Sequence, residues 1–378
     1  MNNFNQLNDQ QFLIIILILI TLIIYNLYLN VISSDKYKSL NRLCNLNQDQ
    51  LDAFFTSYDK IFNDQNMIST YEDYQSGKPP TRFVINENTK PSKYTEDCYR
   101  ILNDLCNLGN VKKMYIPRVF DQSKGLIENQ DLYEQTLAKR LNVKPGGKLL
   151  ELGCGCGRAS YHYSKLTGCD VYGINIDDAQ LKDAREFTKE NNSNNKFFKM
   201  DYNDTLKFDD NTFDGIYTVA GFCTFISDYE KVFSELYRVL KPGGSIVLFD
   251  GVLLEDFDRN NKEHMRLMVG SRMVMAGGCF IYYKYFEDIA KKVGLQIKLS
   301  KGGEEPMRAA ELPLLIKEHQ HFDNVENFIY FLSCIRFVPN YMNDIVKRIR
   351  YGAEDLIEME KQNLLTMAWD YQFVKPIN

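Results

Sequence analysis

Leu149-Leu150-Glu151-Leu152-Gly153-Cys154-Gly155-Cys156-Gly157 is an apolar run that passes directly into a loop with glycine at every second position. A side chain on such a loop would hold a ligand away from the backbone, whereas bare Cα positions permit close approach and turns of positive φ. From Ala159 to Lys165 the chain can open a helix whose first N–H groups point back at a bound ligand. The spacing is G-x-G-x-G, and Arg158 stands where the dinucleotide fingerprint G-x-G-x-x-G needs its last glycine. That departure argues against NAD or FAD.

Outward from this loop, strand-like apolar runs alternate with helical patterns, the signature of a parallel α/β sheet. Lys148 to Leu152 is the first strand, introduced by Lys144-Pro145-Gly146-Gly147. Cys169 to Ile174, Lys196 to Met200, Phe213 to Val219 and Ser245 to Phe249 read as the next four, with a helix at Asp178 to Glu190. Val232, Phe233, Leu236, Val239 and Leu240 recur at helical spacing and predict one face packed on the sheet. That helix stops at Lys241-Pro242-Gly243-Gly244, where proline cannot continue it and glycine accommodates its end. Further on, Phe286 to Lys292 reads as a helix, Gln296 to Leu299 as a short strand and Leu364 to Val374 as a final strand. Between them Ala309 to Lys361 is helical in pattern and too large for a loop. It is read as a cap over the carboxyl edge of the sheet, where open α/β folds bind ligands.

The chain has 378 residues, 44% of them hydrophobic and 13% aromatic, which is ample for a real core. A net charge of −5 gives no basic footprint for a phosphate backbone, so nucleic acid is excluded as a partner class. Nine cysteines scattered along the chain do not form a disulfide framework. Cys154 and Cys156 lack a second pair to complete a tetrahedral site, so they are read as small loop residues and no metal is expected. Gln10 to Ser34 carries no charge, and Phe12 to Ile32 covers roughly 30 Å as a helix, the thickness of a hydrocarbon core. A transmembrane helix is therefore expected at 12–32. Lys36, Lys38 and Arg42 follow it, and by the positive-inside rule this places the bulk of the chain on the cytoplasmic side. The expected localisation is a single-pass protein of the endoplasmic reticulum membrane.

The form E-x-G-x-G-x-G from Glu151 to Gly157 resembles motif I of the S-adenosylmethionine-dependent methyltransferases, and later strand ends continue the resemblance. Asn175 follows the second strand, with Asp177 two residues on; Asp201-Tyr202 follows the third; Thr218-Val219-Ala220-Gly221 closes the fourth. The resemblance implies S-adenosylmethionine as cofactor, with Glu151, Gly153, Gly155 and Gly157 in the loop and Asn175, Ile176 and Gln180 toward the ribose. It places Asp201 on the adenine amino group, Tyr202 against the adenine ring and Ala220 beside the sulfonium.

Other segments are more particular. Tyr115-Ile116-Pro117-Arg118, Gly173-Ile174-Asn175-Ile176 with Gln180, Asp256-Phe257-Asp258 followed by Glu263-His264, and the ending Phe373-Val374-Lys375-Pro376 resemble the sterol methyltransferase family from about Ile101 to Pro376. Two departures bear on the reaction. The 24-C-methyltransferases carry a Tyr-Glu-Tyr-Gly-Trp-like segment where this chain has Leu105-Cys106-Asn107-Leu108-Gly109-Asn110. They also carry a glutamate and a histidine where this chain has Ala220-Gly221-Phe222-Cys223-Thr224. In both respects it resembles more closely the 4-methylating relatives. Asp250, at the end of the fifth strand, and His264 are the candidate catalytic residues; a turn cap and a structural histidine are their alternative roles. His162, His319 and His321 carry no supporting pattern.

The expectation is an α/β enzyme with a doubly wound, mostly parallel, Rossmann-like methyltransferase sheet, a helical C-terminal cap and one N-terminal transmembrane helix. Its organisation reads as a tail at 1–11, the span at 12–32, a polar juxtamembrane segment at 33–94, the methyltransferase core with its lid at 95–254 and the cap with final strands at 255–378. The expected partners are a lipid acceptor, a sterol by resemblance, and the membrane; the oligomeric state stays open. Two alternatives stand beside this reading: another acceptor, such as a quinone, phenolic lipid or phospholipid headgroup, or a catalytically silent protein that binds cofactor or lipid.

Overall fold

The computed structural model describes residues 35–52, 54–55, 65–82, 91–108, 113–222, 225–275, 278–302 and 307–377. Numbered in chain order, the helices are α1 (Asp35–Cys44), α2 (Gln48–Asp52), α3 (Tyr71–Gln75), α4 (Pro91–Leu108), α5 (Leu126–Leu141), α6 (Arg158–Thr167), α7 (Asp178–Glu190), α8 (Tyr229–Val239), α9 (Lys262–Met275), α10 (Lys284–Lys292), α11 (Met307–Cys334) and α12 (Tyr341–Lys361). The strands are β1 (Ile68–Ser69), β2 (Lys148–Leu152), β3 (Asp170–Asn175), β4 (Lys196–Lys199), β5 (Phe213–Thr218), β6 (Leu240–Leu253), β7 (Phe280–Ile281), β8 (Gln296–Gly302) and β9 (Leu365–Val374).

Seven strands form one sheet in the order β4-β3-β2-β5-β6-β9-β8, and β1 pairs with β7 apart from it. From β4 to β6 every pairing is parallel, while β9 runs antiparallel to both β6 and β8. A parallel sheet is covered on both faces, so its strands read as unbroken apolar runs rather than alternating ones. On one face Leu150, Leu152, Ile216 and Leu248 pack on Val232, Phe233 and Leu236 of α8. On the other, Leu149, Val171, Tyr217 and Val247 meet Tyr133 and Leu137 of α5 and Tyr163 of α6. The expected stop at Lys241-Pro242-Gly243-Gly244 is an irregularity inside β6: Leu240 pairs with Phe213 and Ser245 already pairs with Gly215.

The cap is built from α11 and α12. Val338, Met342, Ile345 and Val346 share a buried apolar cluster with Leu43 of α1, Ile101 and Leu102 of α4, and Phe225 of the loop that follows β5. The stretch after residue 33, to which the sequence assigned no chemistry, thus supplies a helix that fastens α4. Arg42 grips Asp104 through Nε at 3.0 Å, and Tyr341 donates to the Leu43 carbonyl at 2.9 Å.

The expected localisation needs correction. The proposed span at 12–32 lies outside the described residues, and among the described residues no helix is long and apolar enough to cross a membrane. The two longest helices show the physical reason. α11 carries Lys317, Glu318, His319 and Asp323 along its length, and α12 carries Asp344, Lys347, Arg348 and Arg350. The structure therefore does not support a single-pass protein of the endoplasmic reticulum.

Candidate active site

Parallel pairing brings the carboxyl ends of the strands to one edge. Leu152 is level with Ile174 and with Thr218, and Asn175 is level with Lys199. Chain order reverses at β2, with β3 on one side and β5 on the other, which makes the loop after β2 the switch point where open α/β sheets take ligands. The N–H groups of Gly153 and Cys154 both donate to the Ile174 carbonyl, at 2.9 and 3.0 Å, folding the loop across the end of β3. Gly153, Gly155 and Gly157 have φ of +70°, +51° and +71°.

Their tasks differ. A Cβ on Gly153 or Gly155 would meet nothing within 4 Å, so these two leave open space above the loop. A Cβ on Gly157 would come within 2.9 Å of Phe197 and 3.0 Å of Ala184, so the third glycine lets α6 start against α7. Arg158 opens α6, one residue before the expected start, and its guanidinium stacks 3.4 Å from the centre of the Phe187 ring. Cys154 turns inward among Leu181, Ala184 and Phe197, where burial pushes its thiol pKa up and away from a metal-binding thiolate. Gly173, quoted in the sequence only as a marker, makes room for it, since a Cβ there would lie 2.7 Å from that of Cys154.

Glu151 lies beneath the loop. Its carboxyl accepts hydrogen bonds from Ser160 and, at 3.0 Å, from Tyr217, and burial pushes its pKa up to about 8. It ties β2 to the first turn of α6. Past β3, Asn175 accepts from the Ile176 N–H at 2.9 Å and donates to Gln180 at 2.6 Å. Asp177 caps α7 by accepting from the Gln180 N–H at 2.9 Å. Past β4, Asp201 accepts from the Asn203 N–H at 2.9 Å, and the Tyr202 hydroxyl donates to the Phe222 carbonyl at 3.3 Å. Asn203, which the sequence reading did not single out, also donates to the Phe225 carbonyl at 3.0 Å and accepts from the Ser227 N–H at 2.8 Å. It joins the loop after β4 to the loop after β5.

Beyond β5 the backbone is strained. Ala220 has a φ of +62°, which an L side chain rarely adopts, and Gly221 follows at +76°. The Ala220 N–H donates to the Phe249 carbonyl at 3.0 Å, and the Gly221 N–H donates to Asp250 Oδ1 at 3.3 Å. Asp250, buried at the edge, also accepts from the Gly251 N–H at 2.8 Å. His264 Nδ1 accepts from the Asp258 N–H at 3.1 Å and its ring lies beside Phe257. His162 approaches Asp131 and the buried Glu134, a grouping that could hold a cation. The Lys113 ammonium already lies 2.9 Å from Asp131 and 2.8 Å from Glu134.

Residues 150–248 match the family model described as a methyltransferase domain. The chain is 33% identical over 267 residues to sterol methyltransferase-like 3 of Botryococcus braunii, covering 65% of this chain and 64% of that protein. It is 30% identical over 202 residues to the sterol 24-C-methyltransferase of Kluyveromyces lactis, covering 53% and 54%. Over a longer stretch of 332 residues it is 24% identical to the sterol 24-C-methyltransferase of Eremothecium gossypii, covering 82% and 88%. Among solved structures, a cyclopropane synthase of Mycobacterium tuberculosis superposes with a TM-score of 0.59 at 14% identity, covering 70% of this chain and 90% of that one. A Haemonchus contortus phosphoethanolamine N-methyltransferase in complex with S-adenosyl-L-methionine gives 0.51 at 22% identity, covering 66% and 53%.

A glycine loop at the switch point of a mostly parallel seven-stranded sheet closed by an antiparallel β9 gives the chain, with the match over residues 150–248, the fold of a methyltransferase domain. Over the matched stretches the chain is similar to sterol methyltransferases. It spans less than two thirds of the length of the first of these relatives, 64%, and about half that of the second, 54%.

Proposed function

We propose that the protein transfers a methyl group from S-adenosylmethionine to a sterol or sterol-like lipid. When bound, the cofactor would supply a methyl group activated on a sulfonium: an acceptor carbon would take it in line with the sulfur as S-adenosylhomocysteine leaves, and the methylated acceptor would then lose a proton to a base. The loop at Gly153, Gly155 and Gly157 offers bare backbone and the N-terminal end of α6 to the methionine part. Asn175, Ile176 and Gln180 serve the ribose side, Asp201 and Tyr202 the adenine, and Ala220 the neighbourhood of the transferred group. In this reading Glu151 and Asp250 are positioning residues: one supports the loop from below, the other holds the strained turn after β5.

One observation carries the choice of acceptor. The roof over the strand ends is apolar, with Tyr99, Tyr202 and Phe225 packed in one cluster with Ile101, Met342 and Ile345. Such apolar surroundings suit a hydrocarbon skeleton and offer little to a charged headgroup. The sequence departures at Leu105–Asn110 and Ala220–Thr224 favour a ring position over the sterol side chain, as in the 4-methylating relatives. Held together, cofactor and acceptor gain the effective molarity of a positioned pair, worth several kcal/mol of barrier.

The test is a methyl-transfer assay with isotopically labelled cofactor and sterol acceptors dispersed in detergent, followed by lipid extraction. Label in the sterol fraction is the expected result. Label confined to quinone, phenolic or phospholipid fractions would shift the acceptor, and no label in any fraction despite cofactor binding would favour a silent binding protein.

A further inference from the structure

We propose that Tyr99, on the lid helix α4, is the residue that meets the methyl-donor end of the cofactor site; the inference rests on the proposed function and names a further residue of that same site. Ala220 and Gly221 both sit at positive φ, and Asp250 and the Phe249 carbonyl fasten this turn from below. Above it, the Tyr99 hydroxyl lies 3.0 Å from the point where a Cβ on Gly221 would be. A Cβ at 221 would touch that hydroxyl and move it by a few tenths of an ångström, while the positive φ is what favours glycine there. The Tyr99 ring packs edge-on against Phe225, with centroids 6.1 Å apart.

The lid itself is held in place. Arg42 of α1 binds both oxygens of the buried Asp104, and Asn107 donates to Ser39 at 3.3 Å. Tyr341 of the cap in turn holds the Leu43 carbonyl. Tyr99 therefore approaches the turn from a helix fastened to α1, which the cap holds in turn, as pre-organised positioning requires. A phenolic oxygen beside a cationic methyl group can accept weak C–H hydrogen bonds, whose worth rises as positive charge gathers on the migrating carbon. Those contacts orient the methyl group for transfer.

The experiment binds cofactor carrying a 13C-labelled methyl group to the full chain and to Tyr99→Phe, and reads the methyl resonance by NMR alongside the affinity by calorimetry. The wild-type resonance is expected to move downfield on binding. Tyr99→Phe should remove most of that shift while affinity changes less than about threefold, since a weak contact is lost and the ring is retained. Single-turnover transfer should slow by about tenfold, the scale of one hydrogen bond realised in the transition state. An identical methyl shift in both proteins overturns the assignment of Tyr99. Absence of any cofactor binding by the wild type overturns the underlying reading of the site.

Discussion

Arg118 and Asp370 are 252 positions apart in the chain, and Arg118 Nε donates to Asp370 Oδ2 at 3.1 Å in the interior. Asp370 also takes Arg140 at 2.7 Å and the Tyr133 hydroxyl, while Arg118 donates onward to the carbonyls of Ala368 at 2.5 Å and Lys301 at 3.0 Å. The Tyr-Ile-Pro-Arg segment, which the sequence offered as a family marker, is thus the staple between the approach to α5 and the antiparallel β8–β9 edge. Removing one partner of a buried pair leaves an uncompensated charge, at a cost of about 3–5 kcal/mol. Asp370→Ala should therefore lower the urea midpoint by that equivalent, with two cations stranded. An unchanged midpoint would contradict the assignment.

The glycine loop separates stability from binding. Gly157→Ala places a methyl group 2.9 Å from Phe197 at a φ of +71°, so it should destabilise the fold by roughly 1–3 kcal/mol. Gly155→Val meets no protein atom within 4 Å at its Cβ and carries only the backbone penalty of about 1–2 kcal/mol. Its side chain enters the open space above the loop, and cofactor binding should fall below detection by calorimetry. Equal loss of binding in both variants, tracking their stability, would remove the loop from the cofactor site.

The architecture was legible where physics is local. Strands covered on both faces show continuous apolar runs, proline and glycine mark the end of α8, and a glycine loop after a strand marks the switch point. Contacts between distant segments left no such trace. Nothing near Gly173 announces that Cys154 packs on it, nothing near Asp104 announces Arg42, and the positive φ of Ala220 cannot be read from an alanine. An aspartate at a strand end can face a ligand or cap a turn, and nothing in the sequence says that Asp250 takes the N–H groups of Gly221 and Gly251. Asn203 escaped notice because its partners lie on another loop.

Glu151 gives the stability a pH dependence of known sign. Burial holds its carboxyl at about 8, above the ordinary 4.5, so between these values the folded state keeps a proton that the unfolded chain has released. Stability contributed by this group is full below pH 4.5 and is lost as pH rises toward 8, at up to about 1.4 kcal/mol per unit. Glu151→Gln retains an oxygen for Ser160 and Tyr217 and cannot ionise. The gap between variant and wild type should therefore move in the variant's favour from pH 5 to pH 8 and level off above. Parallel curves of stability against pH would show that Glu151 titrates normally.

The turn at Ala220 offers a test of whether strain serves the site. A non-glycine residue at a φ of +62° stores roughly 1–3 kcal/mol. Ala220→Gly releases that strain but adds about 0.5–1 kcal/mol of unfolded-state entropy, so the net change in stability should be small and favourable. Asp250→Ala acts oppositely, because it strands the Gly221 and Gly251 N–H groups at about 1–3 kcal/mol for each left unpaired in the interior. If the turn is held in this shape for the cofactor, both substitutions should weaken cofactor affinity, although one stabilises the chain and the other destabilises it. Calorimetric binding set beside thermal unfolding separates the two effects. Tighter binding by Ala220→Gly would mean that the strained conformation hinders the cofactor, and would turn the explanation of that turn toward the packing of Phe222 and Phe225.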